Sequence, residues 1–314
     1  MQMRRRQLVL ATMLGAGTSL LAACGGGGGD DSVGTVVKVA QTRAEFSILA
    51  EAISAAGLAT TLSGPGPYTV FAPTDDAFAA LLAELGLTKQ QLLADKALLT
   101  AVLTYHVLPG RVDAQAVAGQ LGLPLKTVNG DVFKVESSGG LKITDGRNRV
   151  ANITATDVAA SNGVIHVVDR VLLPANKTIV QTAQATPSLS LLVEAVVAAD
   201  LAGTLGGTGP FTVFAPTNDA FAALLTELGV TKEQLFADKA LLTSVLTYHV
   251  VSGRVLKAQV PVGQPIQTVQ GGTFTVASNL AITDQRSRTS NIIATDIFAS
   301  NGVVHLVDRV LLPA

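Results

Sequence analysis

The stretch Tyr68-Thr-Val-Phe-Ala-Pro-Thr74 decides the architecture, because it returns as Phe211-Thr-Val-Phe-Ala-Pro-Thr217 at an offset of 143 (68 to 211). Residues 103–107, Leu-Thr-Tyr-His-Val, return at 246–250 with the same offset. A third block, Asn-Gly-Val-Ile-His-Val-Val-Asp-Arg-Val-Leu-Leu-Pro at 162–174, returns almost unchanged at 301–313. A period near 140 is too long for a solenoid unit and indicates a duplicated domain. We predict modules at 33–175 and 176–314, joined at 176–178 with hardly any linker.

The N-terminus predicts export and a lipid anchor. Arg4, Arg5 and Arg6 precede an apolar run at 8–21, which is shorter than the ~20 residues of a membrane-spanning helix. Leu-Ala-Ala-Cys at 21–24 resembles the lipobox of bacterial lipoproteins, and that resemblance implies lipidation of Cys24 and removal of residues 1–23. Residues 24–32 then form a lipidated, glycine-rich tether. An ordinary signal peptide is the alternative, and the arginine run leaves Sec and twin-arginine export both open.

Composition limits the partners and the sources of stability. Without the three leader arginines, the 22 basic residues fall to 19 against 23 acidic ones, a formal charge of −4. That balance does not support nucleic-acid binding, which needs a clustered basic face. The single cysteine excludes an intramolecular disulfide, so burial of the 48% hydrophobic residues must supply the stability.

Local patterns predict helices in the first half of each copy and strands in the second. In the first half, a helix is predicted through Phe46, Leu49 and Ile53, ending near Gly57, and a strand with one buried side is predicted at 68–72. Thr74 is expected to cap the next helix, and capping boxes are predicted at Thr88/Gln91 and Thr231/Gln234. A further helix begins at Asp95 and stops before Pro109. Asn-Gly pairs at 129–130 and 162–163 predict hairpins, with strands at 152–159 and 164–172 beside the second. Helices first and strands later predict an α+β class.

The repeated blocks resemble the signatures of the fasciclin domain. The resemblance rests on Thr-Val-Phe-Ala-Pro-Thr at 69–74 and 212–217, the Tyr-His pairs, and Asn-Gly-Val-Ile/Val-His at 162–166 and 301–305. All three occur in order, twice, over nearly the whole chain after the leader. The resemblance implies two tandem domains, each a β-wedge of strands with helices packed along one side. It also implies an extracellular or surface-attached adhesion protein, since most members mediate adhesion and a few bind hydrophobic pigments.

The Tyr-His pairs are the first candidate site. Tyr105-His106 and Tyr248-His249 each follow an amphipathic helix. By resemblance to animal family members, this neighbourhood contributes to receptor binding. The alternative, which we favour, is a buried hydrogen-bonded pair that fixes the helix end against the sheet.

Arginine pairs are the second candidate site. Arg147 and Arg149 recur as Arg286 and Arg288, each pair in a polar segment between strands. Guanidinium groups match oxyanions, so these residues could dock acidic glycans or anionic surfaces. A solvated loop is the alternative that we favour.

The sequence supports neither catalysis nor metal binding. His166 and Asp169 are three apart in a predicted strand and therefore point to opposite faces, as do His305 and Asp308. Each copy has just two histidines, whereas zinc sites need three or four ligands, and no Gly-x-Ser-x-Gly elbow is present. We expect no enzyme activity, no catalytic residue, no metal and no cofactor.

These observations predict a lipid-anchored adhesion or interaction protein of the cell envelope. Its partners are expected to be proteins or glycans of the matrix or cell surface, and the residue after Cys24 favours the outer membrane or cell surface over the inner membrane. The alternative function is a periplasmic carrier of a hydrophobic pigment or lipid.

Overall fold

The computed structural model describes residues 33–314, so the predicted signal peptide, Cys24 and the tether lie outside the described residues. The first module comprises the elements from α1 to β7. Its helices are α1 (Val36–Thr42), α2 (Ser47–Ala55), α3 (Ala59–Leu62), α4 (Asp75–Leu85), α5 (Lys89–Ala94), α6 (Lys96–Tyr105) and α7 (Ala114–Ala118). Its strands are β1 (Tyr68–Pro73), β2 (Val107–Pro109), β3 (Pro124–Lys126), β4 (Val132–Ser137), β5 (Leu141–Thr144), β6 (Val150–Ala160) and β7 (Gly163–Val168).

The second module repeats this arrangement with the elements from α8 to β14. Its helices are α8 (Ile179–Gln184), α9 (Ser190–Ala198), α10 (Ala202–Gly206), α11 (Asn218–Leu228), α12 (Lys232–Ala237) and α13 (Lys239–Tyr248). Its strands are β8 (Phe211–Pro216), β9 (Val250–Ser252), β10 (Pro265–Gln267), β11 (Thr273–Val276), β12 (Ala281–Thr283), β13 (Thr289–Ala299) and β14 (Gly302–Val307). Short 3-10 turns lie at Ala44–Phe46, Pro187–Leu189 and Lys257–Gln259.

Each module contains one mixed seven-stranded sheet. In the first module the strand order is β2-β1-β7-β6-β5-β4-β3, and the second module repeats that order. Strand β1 runs parallel to β7, and the other neighbours are antiparallel. Parallel neighbours need a long crossover connection, and helices α4 to α6 lie within the chain that separates β1 from β7. The predicted α+β class is confirmed.

The sheet curls on itself and buries two cores. Phe71 of β1 and Phe133 of β4 stand four positions apart in the strand order, yet their rings pack edge to face at 5.1 Å. Contact between such distant strands requires the sheet to close into a wedge. The other face of β1, with Val70 and Ala72, packs among the helices. The expectation that β1 buries only one side was therefore wrong, because helices cover one face and the curled sheet covers the other.

The predicted helix boundaries are confirmed. Helix α2 ends before Gly57, whose φ of 73° is a left-handed conformation that glycine adopts without strain. The Thr74 hydroxyl caps α4, and both capping boxes form at Thr88 and Thr231. The strand predicted at 164–172 ends at Val168. Residues 171–173 are nevertheless buried, and their backbone amides bond to side chains, as described next.

Candidate functional site

Tyr105 and His106 lie in the interior of the first module. Tyr105 is 0% exposed, and its hydroxyl donates to the Val132 carbonyl at 2.8 Å. His106 is 2% exposed, and its Nδ1 lies 2.8 Å from the Val102 carbonyl. Its Nε2 accepts the Leu172 amide at 2.9 Å. These partners require a neutral ring protonated on Nδ1, and burial lowers the pKa of His106 to about 4.

The second module repeats the Tyr-His arrangement. The Tyr248 hydroxyl donates to the Thr273 carbonyl at 2.7 Å. His249 places Nδ1 2.8 Å from the Val245 carbonyl and accepts the Leu311 amide at 2.9 Å, and burial again lowers its pKa to about 4. This geometry favours the structural alternative for both pairs, because neither presents its polar atoms to a partner surface.

The arginine segment is built around a buried carboxylate. Asp145 Oδ1 accepts the backbone amides of Arg147 and Arg149, and Oδ2 accepts the Arg149 guanidinium at 2.8 Å. Arg149 also pairs with Glu84 of α4 at 2.9 Å, so its side chain is only 12% exposed. The solvated-loop alternative thus does not describe Arg149, whose charge holds the turn against α4.

The counterpart segment of the second module is held in a similar way. Arg288 pairs with Glu227 at 3.0 Å and is also 12% exposed. The exposed Arg286 donates from Nε to the Pro313 carbonyl at 2.9 Å.

The histidine of each Tyr-His pair and the aspartate that begins each arginine segment belong to one hydrogen-bond network. Asp145 Oδ2 accepts the Leu173 amide at 3.0 Å, directly beside the Leu172 amide that His106 accepts. Asp284 accepts the Leu312 amide at 3.0 Å, beside the amide that His249 accepts. The histidine and the aspartate of each module therefore clamp the buried segment that follows the last strand. Sequence analysis missed this role, although Asp145 and Asp284 begin the repeated arginine segment.

Arg147 is positioned differently from Arg149. Its Nε is buried without a hydrogen-bond partner in the described part of the chain, and burial, with the nearby Arg149, lowers its pKa. The side chain lines a cleft of about 440 Å³ between the modules. Exposed Lys177, from the join, lines the same cleft, with the hydroxyl-bearing Thr182 and Thr186 of the second module. The cleft thus brings together two cations that are 30 residues apart in the chain (147 to 177).

The modules meet through residues that sequence analysis did not single out. Lys134 Nζ lies 3.0 Å from Asp296 Oδ2, and both side chains are buried. Asn148 exchanges two hydrogen bonds with the backbone of Phe298, at 2.7 and 3.2 Å. Phe298 packs in an apolar cluster that Val132 of the first module joins.

Differences between the copies mark this junction. Lys134 pairs across the sheet with Pro124 and Thr144, and the residue with the matching pairs in the second module is Thr275. Ala159 pairs with Val164, whereas its counterpart Phe298 pairs with Val303. Comparison of the two copies could have identified Lys134 and Phe298, because each differs from the residue at the equivalent position of the other module.

Among residues 33–314, no group of three or more His, Cys, Asp or Glu side chains is arranged to hold a metal ion. No helix in this range has both the length and the apolarity needed to cross a bilayer.

The family model of the fasciclin domain matches twice, at residues 44–174 and 187–313. This chain belongs to the fasciclin-domain family. The two matches cover both sheets, the Tyr-His pairs and the arginine pairs, so the predicted tandem fasciclin fold is confirmed.

Relatives extend from cyanobacteria to mammals. The chain is 44% identical over 148 residues to protein sll1483 of Synechocystis, covering 46% of this chain and 76% of that protein. It is 34% identical over 144 residues to the cell surface glycolipoprotein MPB83 of Mycobacterium bovis, covering 44% of this chain and 62% of that protein. It is 28% identical over 254 residues to the transforming growth factor-beta-induced protein ig-h3 of Sus scrofa, covering 80% of this chain. The chain spans only 35% of ig-h3. Fasciclin domains thus occur in cell-surface and extracellular proteins, which supports a generic interaction role.

Proposed function

We propose that this protein is a non-enzymatic adhesion or interaction protein of the cell envelope, which binds an anionic protein or glycan surface. The observation that carries the proposal is the convergence of Arg147 and Lys177 in the cleft between the modules. The domain boundaries at 33–175 and 176–314 remain part of the proposal, and the cleft forms where they meet.

The charges around this cleft favour an anionic partner. Arg149 also lines it but is already paired with Glu84 and Asp145. Arg147 and Lys177 make no such ion pair within residues 33–314. A guanidinium presents a fork of donors that matches carboxylate, sulfate or phosphate groups. A bound anion would neutralise the two charges that Arg147 and Lys177 bring to the cleft.

Anchoring through Cys24 places this cleft at a membrane. The lipobox-like residues 21–24 support lipidation, and the relative MPB83 is a cell surface glycolipoprotein. We propose export, removal of residues 1–23, and attachment to the outer membrane or cell surface. The glycine-rich residues 25–29 would let the module pair pivot on its anchor.

The carrier alternative is less well supported by the cavities. Two apolar cavities of the second module have volumes of about 30 and 120 Å³. Sites for small molecules of pigment or lipid size occupy roughly 300–1,000 Å³. These two cavities are too small for such cargo, so the proposal assigns the interaction to the cleft lined by Arg147 and Lys177.

Cell binding by the purified chain tests the proposed function. The full chain, purified in mild detergent and fluorescently labelled, should bind intact cells that lack its gene, as measured by flow cytometry. The double variant Arg147→Gln, Lys177→Gln should bind at least ~5-fold more weakly, since each charge-assisted contact is worth about 1 kcal/mol or more. Arg286→Gln is the matched control and should bind like the wild type. Wild-type binding by the double variant, or no binding by the wild-type chain, would refute the proposal.

A further inference from the structure

A second and larger cleft lies at the junction of the modules. It has a volume of about 970 Å³, at the upper end of the roughly 300–1,000 Å³ typical of ligand sites. On one side are the β3 strand and the turn into β4, with Lys126 and Asp131. On the other side are Arg254 and the loop at 207–210 that leads into β8. We infer that this cleft binds an acidic oligosaccharide, a short chain of uronate units, with Arg254 holding a sugar carboxylate.

Arg254 has donors to offer a ligand. Its Nη2 reaches the carbonyls of Ala299 and Ser300 only at 3.4 Å, and its Nη1 makes no hydrogen bond within residues 33–314. Bonds of that length are at the weak limit of hydrogen bonding. A guanidinium carries five N–H donors in a planar fork, which suits a carboxylate. Much of the hydrogen-bonding capacity of Arg254 is therefore left for a ligand in the cleft.

Comparison with the first module shows that the weak hydrogen bonding of Arg254 is particular to the second module. Arg111 occupies the corresponding position, since each arginine follows the glycine after the short strand β2 or β9. Arg111 donates from Nη1 to the Gly163 carbonyl of its own module at 2.9 Å. It does not line the cleft. The arginine at this position thus makes a hydrogen bond of ordinary length in the first module and only long ones in the second.

The remaining groups suit a sugar. Asp131 can accept hydroxyl hydrogens, and burial raises its pKa while Arg254 lowers it. Lys126 adds a second cation, and the hydroxyls of Thr208 and Ser300 line the same walls. Two cations and one carboxylate leave a net charge of +1, which favours an acidic sugar over a neutral one. Saccharides need donors and acceptors close together, and this lining supplies both.

The composition of the walls separates a saccharide from an acidic peptide. Glycine at positions 206, 207 and 209 and proline at 124 and 210 contribute few large apolar side chains to the lining. A bound peptide relies on pockets for alternate side chains, which a lining of this composition does not favour. Because the cleft takes residues from both modules, we expect one site per chain despite the duplication. The inference goes beyond the proposed function, since Arg147 and Lys177 do not line this cleft.

Calorimetric titration of the full chain in mild detergent tests the inference. The probes are a galacturonate tetramer, a neutral maltose-type tetramer and a glutamate tetrapeptide. The uronate should bind with a stoichiometry of one per chain, and at least ~10-fold more tightly than either other probe, the factor that about 1.4 kcal/mol provides. Arg254→Gln should weaken uronate binding by at least ~10-fold, as expected for a lost charge-assisted pair. The matched control Arg111→Gln should bind within ~2-fold of the wild type.

Further variants keep the test decisive. Arg43→Gln, at an exposed arginine that lines neither cleft, should leave uronate binding unchanged. The uronate titration reports on Arg254 and the cell-binding assay reports on Arg147 and Lys177, so failure of this inference and failure of the proposed function are distinguishable. If Arg254→Gln does not fold, judged by its melting curve, Arg254→Lys and Lys126→Gln replace it, and each should weaken binding. No uronate binding by the wild-type chain would overturn the inference. Unchanged binding by the Arg254 or Lys126 variants, or equal binding of the glutamate peptide, would also overturn it.

Discussion

Lys134 Nζ of the first module lies 3.0 Å from Asp296 Oδ2 of the second, and both side chains are buried. Asp296 also caps the backbone amide of Lys257 at 2.7 Å. Its counterpart Asp157 in the first module accepts the Ala114 amide in the same way and has a similar positive φ. Asp157 is exposed, however, and forms no ion pair with a lysine within residues 33–314. The copies therefore provide a natural comparison of one turn with and without an ion pair.

The ion pair should contribute to stability through its burial. Asp296→Asn keeps the amide cap and leaves Lys134 paired only with the half-exposed Glu136 at 3.0 Å, so the free energy of unfolding should fall by about 2 kcal/mol. Asp157→Asn, which breaks no ion pair, should cost less than about 1 kcal/mol. Urea denaturation of both variants measures the difference. Equal losses would show that the pair adds no stability beyond the cap.

Stability should depend on pH through the buried histidines. The pKa of His106 and His249 is about 4 in the folded chain, below the ordinary 6.5. Between pH 6.5 and 4 the unfolded chain therefore binds protons that the folded chain does not. The free energy of unfolding should be constant above pH 6.5 and fall by up to ~3 kcal/mol per histidine toward pH 4.

Replacement of His106 and His249 measures their contribution to the pH dependence of stability. His106→Gln, His249→Gln retains an amide donor and acceptor but no titrating group, so the fall between pH 6.5 and 4 should shrink. His305, whose pKa burial also lowers, accounts for part of the slope that remains. A double variant with the wild-type slope would contradict this assignment. His106→Ala at neutral pH should cost ~1–3 kcal/mol, because the Leu172 amide loses its acceptor.

The modules should fold separately but with unequal stability. Residues 33–175 and 176–314 each contain a full set of signature blocks and their own sheet. Separation exposes Phe298, which is 3% exposed in the full chain, and leaves Asp296 without Lys134. Burying a phenylalanine contributes about 1.5–3 kcal/mol, so the isolated second module should melt at a lower temperature than the first.

Calorimetry of the two fragments and the full chain measures this difference. Phe298→Ala in the full chain is a matched control, because Ala159 occupies that position in the first module. It should weaken the junction while both modules stay folded. Loss of cooperative unfolding in both fragments would show that the duplication forms one shared core.

Lipidation should depend on Cys24 alone, since it is the only cysteine in the sequence. Cys24→Ser should abolish incorporation of labelled palmitate and block cleavage before residue 24. Each buried CH₂ of an acyl chain contributes about 0.8 kcal/mol to membrane binding, so loss of the chains should release the protein from the membrane fraction. Unchanged palmitate labelling in the variant would rule out the anchor.

The two modules together should bind an anionic surface better than either module alone. Arg147 and Lys177 come from different modules, so neither fragment contains the whole cleft, and the full chain should bind at least ~10-fold more tightly than either fragment. Surface plasmon resonance at two salt concentrations should show that the gain shrinks as salt rises, because exposed charges are screened. Equal affinities for the full chain and its better module would mean that one copy is only a spacer.

The sequence by itself determined the duplication, the α+β class and most local boundaries. Capping residues such as Thr74 and Thr88 act within one helical turn, and Asn-Gly pairs act within one hairpin. Such features depend only on neighbouring residues, so they can be read directly from the chain. The resemblance of the repeated blocks extended this reading to the family.

Only the tertiary structure decided which candidate residues are available to a partner. The sequence leaves both a structural and a binding interpretation open for Tyr105 and Arg149, but the curled sheet buries Tyr105, and an ion pair with Glu84 holds Arg149. Arg111 and Arg254 are equivalent in the repeat, yet only Arg254 faces a neighbouring module. Burial and pairing depend on contacts between residues far apart in the chain, and local patterns carry no information about those contacts.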